Sequence, residues 1–132
     1  MARILLIDDD EALRGALSRT LDRFGHTVIE AGNGEDGLRL LPQFKPDLLI
    51  TDIVMPVKDG LAVLAEIRKK YPPVKAIAMS GGSRQGPWDN LERAKQLGAA
   101  KVLAKPFSIQ ALMTAVNELV ASGVSKPYET VH

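Results

Sequence analysis

Ile4-Leu5-Leu6-Ile7-Asp8-Asp9-Asp10-Glu11 is an unbroken apolar run that stops at a block of carboxylates. A half-exposed strand would alternate apolar with polar residues. This run does not, and it is too short to cross a bilayer, so it reads as a strand covered on both faces. Working outward, the same signature returns at Leu48 to Ile50, Val74 to Ala78 and Val102 to Ala104, with Thr27 to Glu30 as a weaker fifth. Helical spacing fills the intervals. Leu13, Ala16, Leu17, Thr20, Leu21 and Phe24 form one stripe and Ile109, Leu112, Met113, Val116 and Val120 another. Leu61, Leu64 and Ile67 face the core from a third helix, Leu91, Ala94 and Leu97 from a fourth, and Asn33 to Leu41 is a short further helix. Gly25, Gly98 and Gly123 punctuate helix ends, Asp59-Gly60 marks a turn and Pro72-Pro73 precedes a strand.

Strands that alternate with helices predict an α/β fold with a parallel sheet, because each helix supplies the crossover that parallel neighbours require. Right-handed crossovers give a doubly wound sheet, whose ligand crevice lies at the carboxyl ends of the strands, where the strand order reverses. Polar residues collect at those ends: Asp8, Asp9 and Asp10 after the first strand, Asp52 after the third, Ser80 after the fourth and Lys105 after the fifth.

Composition narrows the remaining classes. The 132 residues suit one domain; 45% hydrophobic and 25% charged residues describe an ordinary folded chain. Seventeen basic residues against sixteen acidic leave a formal charge of +1, so no overall field draws the chain to nucleic acid or an anionic membrane. Arg68-Lys69-Lys70 reads as the basic end of a helix and is too short to bind nucleic acid. No cysteine is present, which removes disulfides, thiolate metal sites and cysteine nucleophiles. The early carboxylates exclude a signal peptide, and a cytoplasmic location is the expectation. Residues 122–132 read as a loose tail.

Three carboxylates in one crevice repel one another by several kcal/mol, at an effective dielectric of about 20. A divalent cation relieves that repulsion. Mg²⁺ suits a site of one or two carboxylates, retained waters and phosphate oxygens; no calcium-binding helix-loop-helix motif occurs, and His26 and His132 are poor candidates for a histidine-ligated metal. An ammonium group at Lys105 and a hydroxyl at Ser80 beside a metal-bound Asp52 make a phosphoryl site, with Asp52 as an in-line nucleophile. Pro106 restricts Lys105 to extended backbone, which aims the lysine along the strand end. Asp10 is also placed to cap the first helix. His26 reads as a surface or turn residue, Trp88 as a partly buried helix-start residue and Phe107 as a core or hinge contact.

Ile4 to Glu11, the stretch Asp47-Leu48-Leu49-Ile50-Thr51-Asp52-Ile53-Val54-Met55-Pro56 with Asp59-Gly60, then Ser80, Gly98-Ala99 and Lys105-Pro106-Phe107 together resemble the response-regulator receiver family of two-component signalling. The resemblance runs from about residue 2 to residue 121, with 122–132 left as tail. It implies a flavodoxin-like (βα)5 fold with strand order 2-1-3-4-5. It further implies that Asp52 accepts the phosphoryl group and that Asp8, Asp9 and the Val54 main-chain carbonyl join Asp52 in holding Mg²⁺. Ser80 corresponds to the switch hydroxyl and Lys105 to the lysine that contacts phosphate. The implied partners are a sensor histidine kinase or histidine phosphotransfer protein, a downstream protein target or separate output domain, and a second copy of the chain on phosphorylation. Membrane and direct nucleic-acid binding are not expected, nor is any enzymatic activity beyond phosphorylation and dephosphorylation of Asp52 itself.

The sequence departs from the family pattern in three places. Val102 stands where the family commonly has an aromatic residue. The stretch from Ser80 to Lys105 is a few residues longer than usual, and its loop with Gly81, Gly82, Gly86 and Pro87 before Trp88 reads as mobile. Val54 and Gly82 offer no polar side chain to orient an attacking water, which points to a long-lived phosphoaspartate. Other functions fit less well. A haloacid-dehalogenase-type phosphatase needs a second aspartate where Val54 stands, and a nucleotide- or flavin-binding module needs a glycine-rich loop where the carboxylates stand. A receiver-like domain that binds partners without phosphorylation has no need of the full set of polar residues.

Overall fold

In a computed structural model the described residues are 1–55, 57–81 and 87–123, without the side chains of 87–89 and 122–123. The elements run β1 (Arg3–Ile7), α1 (Glu11–Arg23), β2 (Thr27–Ala31), α2 (Gly34–Phe44), β3 (Leu48–Asp52), α3 (Gly60–Lys70), β4 (Lys75–Ser80), α4 (Pro87–Gln96), β5 (Lys101–Ala104) and α5 (Ile109–Gly123). The strands form one parallel sheet in the order β2-β1-β3-β4-β5, as the resemblance implied. Order reverses between β1 and β3, and the carboxyl ends of these two strands frame the crevice.

Because β1 and β3 are interior strands, their side chains are buried on both faces, and alternation assigns each residue to one of two cores. Ile4, Leu6, Leu48, Ile50, Ile77 and Met79 pack with Leu17 and Leu21 of α1 and with Leu112 and Val116 of α5. On the other face, Leu5, Ile7, Leu49 and Ala78 meet Leu41 of α2, Val63, Leu64 and Ile67 of α3, and Leu91 and Ala94 of α4. Fully burying one Leu or Ile contributes about 1.5–3 kcal/mol, so these clusters supply the main drive for the (βα)5 arrangement. β2 is an edge strand with only Ala31 buried, which explains its weak sequence signal.

Local chemistry sets the boundaries. Asp10, Asn33 and Asp59 cap α1, α2 and α3 by accepting hydrogen bonds from the backbone N–H groups of Leu13, Asp36 and Ala62. Ser108 Oγ does the same for Ala111 at the start of α5. Gly25 and Gly98 adopt φ of +92° and +103° just past α1 and α4, a conformation that glycine takes without steric cost.

Several sequence expectations are corrected. Asp59-Gly60 is the start of α3 and not a free turn, since the Asp59 carboxylate finds the orphan N–H of Ala62. α2 continues past Leu41 through Pro42 to Phe44, because proline in a last turn forfeits only one helical hydrogen bond. Phe24 is 58% exposed: it is the C-cap of α1, its N–H bonding the Thr20 and Leu21 carbonyls, and its side chain lies outside the core. Ala16 and Ile109 are exposed as well. His26 is buried, not superficial, with Nδ1 accepting a hydrogen bond from the Ala2 N–H.

Candidate functional site

Each candidate side chain stands where a strand runs out. Asp8 follows β1 and is fully buried, Asp52 is the last residue of β3, Ser80 the last of β4, and Lys105 comes directly after β5. The Lys105 N–H bonds the Ser80 carbonyl at 2.7 Å, extending the β4–β5 pairing by one step. The Lys105-Pro106 peptide bond is cis.

The lysine ammonium bridges the crevice, 3.2 Å from Asp8 Oδ2 and 3.4 Å from Asp52 Oδ1. Asp8 Oδ1 accepts the Asp10 N–H at 2.9 Å, and Asp52 Oδ1 accepts the Ile53 N–H at 3.1 Å. Asp9 is exposed at the rim, yet one carboxylate oxygen from each of Asp8, Asp9 and Asp52 falls within 4.8 Å of the others. Ser80 is fully buried, and among the described residues its Oγ has no hydrogen-bond partner.

The charge balance leaves the crevice short of cations. Burial pushes the Asp52 carboxyl up to about 6, and Asp8 and Asp9 add to the rise against the opposing pull of Lys105. Lys105 moves up too: burial alone disfavours its ammonium, but the Asp52 and Asp8 carboxylates outweigh that penalty. Three hard carboxylate oxygens around a small gap, with one lysine to compensate them, fit a divalent cation such as Mg²⁺ in ligand chemistry and spacing.

The geometry at Asp52 further depends on the turn after β3. The Gly60 N–H bonds the Ile53 carbonyl at 2.7 Å, and a Cβ at Gly60 would collide with the Asp52 carbonyl oxygen. Val54 and Val57 in this turn are exposed, and Val57 holds a φ of 69°, costly for a β-branched residue. Val102 is partly buried and packs on the α2-α3-α4 side of the sheet. An apolar hollow of about 390 Å³ adjoins the crevice, lined by Leu13, Leu17, Pro106, Phe107 and Ile109 with Lys105 at its lip. The loop expectation at Gly82 to Gly86, the Trp88 side chain and the tail expectation from residue 124 onward lie outside the described residues.

Arg14 was not singled out from the sequence. Its guanidinium bonds the Asp8 main-chain carbonyl and the Glu30 carboxylate. The available signal was an arginine one turn into the helix that follows the acidic block.

Comparisons with known proteins agree with this geometry. Residues 4–117 match the family model of the response regulator receiver domain. The chain is 36% identical over 115 residues to a probable chemotaxis protein CheY of Rhizobium etli, covering 86% of this chain and 88% of that protein. It is 36% identical over 121 residues to the sensor kinase CckA of Brucella abortus, a match that takes in 90% of this chain but 12% of the kinase. Among solved structures, the receiver domain of NtrX from Brucella abortus superposes with a TM-score of 0.82 at 28% identity, over 89% of this chain and 98% of that one. No described helix is long and apolar enough to cross a membrane. Fold, crevice and sequence matches converge on the phosphorylation-dependent signalling module of two-component systems, and the chain belongs to the response regulator receiver domain family.

Proposed function

We propose that Asp52 is the phosphoacceptor, taking a phosphoryl group from a phosphohistidine on a sensor histidine kinase or phosphotransfer protein. The observation that carries this reading is the Lys105 ammonium held between Asp8 and Asp52 at the strand ends. Asp52 Oδ1 is engaged by Lys105 and the Ile53 N–H, which leaves Oδ2 as the attacking atom. The new O–P bond forms as the N–P bond of the phosphohistidine breaks; the imidazole leaves with the electron pair and Asp52 becomes an acyl phosphate. Lys105 compensates charge on one phosphoryl oxygen. The Ser80 hydroxyl, buried without a described partner, donates to another. Asp8, Asp9, Asp52 and the Val54 main-chain carbonyl would hold Mg²⁺, which supplies neutralisation of the charge on the phosphoryl oxygens.

Recruiting Lys105 and Ser80 to the phosphoryl group favours one of two arrangements of the surface around α4 and α5, and a protein target or output domain reads the difference. The apolar hollow beside Lys105 offers the phosphodonor protein a place to rest. Residues 1–121 form the receiver unit and 122–132 the trailing segment. The unit works in the cytoplasm, and with valine at position 54 and glycine at 82 the phosphoaspartate is long-lived.

Intact-mass measurement after incubation with acetyl phosphate tests this. The expected result is a single phosphoryl adduct that requires Mg²⁺ and disappears in Asp52→Asn. A folded protein that gains no adduct under any condition, or gains one equally in Asp52→Asn, sinks the proposal.

A further inference from the structure

Arg14 is well placed to act on the acidic pair from outside it. Its side chain is 18% exposed, with Nη1 at 2.7 Å from the Asp8 main-chain oxygen and Nε at 3.0 Å from Glu30 Oε1. These two acceptors belong to different parts of the sheet: Asp8 lies one residue beyond β1, and Glu30 lies within β2. At Asp8 the β1 ladder is ending; its N–H still reaches the Ala31 carbonyl, while its carbonyl is taken by the guanidinium. The next fixed point is the Asp10 N–H on Asp8 Oδ1. The Asp8–Asp9 peptide is therefore clamped on either side. No described group bonds the Asp9 carboxylate, so the clamped peptide, which sets where that side chain leaves the backbone, is the described constraint on its reach.

We propose that Arg14, anchored by Glu30, is a positioning residue that fixes the Asp8–Asp9 peptide and so aims both carboxylates at the divalent-cation site. This rests on the metal reading given above. Arginine suits the task because its planar fork of donors serves two acceptors at a fixed mutual angle, which a lysine point charge does not reproduce. Groups that orient metal ligands without touching the metal typically change affinity by about 10–100-fold when removed. A guanidinium is also a cation near the site, and mere charge would have the opposite effect: its removal would tighten Mg²⁺ binding. The sign of the change separates positioning from electrostatics.

The test is calorimetric titration of Mg²⁺ into the full chain and into Arg14→Ala, Arg14→Lys, Glu30→Gln and the Arg14→Ala/Glu30→Gln double variant, with melting temperatures measured alongside. Arg14→Ala should raise the Kd about tenfold. Arg14→Lys should fall between it and the parent, and Glu30→Gln, which removes the anchor and keeps the guanidinium, should weaken binding measurably but by less than Arg14→Ala. Since Glu30 acts through Arg14, the double variant should bind no worse than Arg14→Ala alone. Unchanged or tighter binding in a folded Arg14→Ala protein overturns the proposal, as does a lowered melting temperature with an unaltered Kd. If Arg14→Ala does not fold, parent-like affinity in both Arg14→Lys and Glu30→Gln overturns it. A parent chain that binds no Mg²⁺ sinks the metal reading itself, a result visible before any substitution is made.

Discussion

Lys105 and Asp8 are 97 positions apart along the chain and 3.2 Å apart in space. Asp8 is fully buried, so the lysine is the main compensation for a charge that water does not reach. Lys105→Met should cost about 2 kcal/mol at pH 7 without a divalent cation, because it strands a buried carboxylate beside a second one; the lysine's partial exposure keeps this below the about 3–5 kcal/mol of a fully buried pair. Urea denaturation in chelator measures this. Millimolar Mg²⁺ should shrink the deficit, since a dication then takes over the compensation.

Asp52 gives a pH dependence of opposite sense to that of an ordinary ion-paired carboxylate. Its folded value near 6 lies above the ordinary 3.8, so the native state keeps its proton longer than the unfolded chain. Stability contributed by this group is present in acid and declines as pH rises from about 4 to about 6. Asp52→Asn should therefore stabilise the metal-free protein at pH 7 by about 1–2 kcal/mol after allowance for solvent screening, and by nothing measurable at pH 3.5. Comparing parent and variant at both pH values cancels the other titrating groups. An equal gain at the two values would contradict the shift.

Ser80→Ala separates folding from signalling. The hydroxyl is buried without a described partner, so its removal relieves an unmet hydrogen-bonding demand. The unphosphorylated variant should be as stable as the parent or more stable by up to about 1 kcal/mol. The phosphorylated variant should lose whatever conformational difference the parent shows on phosphorylation, as read in backbone amide chemical shifts.

His26 titrates in the other direction. Burial first, and the charge of the N-terminal amine second, hold its pKa below the ordinary 6.5, and its Nδ1 must be unprotonated to accept the Ala2 N–H. The stability that depends on this neutral ring is present above pH 6.5 and is lost as pH falls toward the lower folded value. Parent and His26→Gln compared at pH 7.5 and 5.5 should differ in slope, with the parent losing more on acidification.

Val57→Gly should raise stability by about 1 kcal/mol. A β-branched residue at a φ of 69° pays a steric cost, and at 75% exposure it buries little in return; part of the gain is offset by glycine's greater freedom in the unfolded chain. The midpoint of thermal or urea unfolding checks the sign.

What the sequence disclosed follows the range of the interactions involved. Apolar runs and caps are local, so β1, β3 and Asp10 were readable directly, and the strand ends then brought Asp8, Asp9, Asp52, Ser80 and Lys105 together as a consequence of topology. Phe24 was misplaced because a helical stripe does not say where the helix ends. His26 was misplaced because its partner, Ala2, stands 24 positions away, directly before β1. The Arg14 link to Asp8 and Glu30 spans three elements and has no periodic signature. The left-handed backbone at Val57 contradicts its residue type and was illegible for that reason.

The sheet that carries these residues also divides the helices into two populations. α1 and α5 pack against one face, α2, α3 and α4 against the other, and β5 itself is divided, with Leu103 turned to the first and Val102 and Ala104 to the second. Between the two clusters of described residues lies the strand backbone that carries both. Substitutions confined to one cluster can thus be absorbed there without repacking the other, so the two sides of a single small fold can change at independent rates.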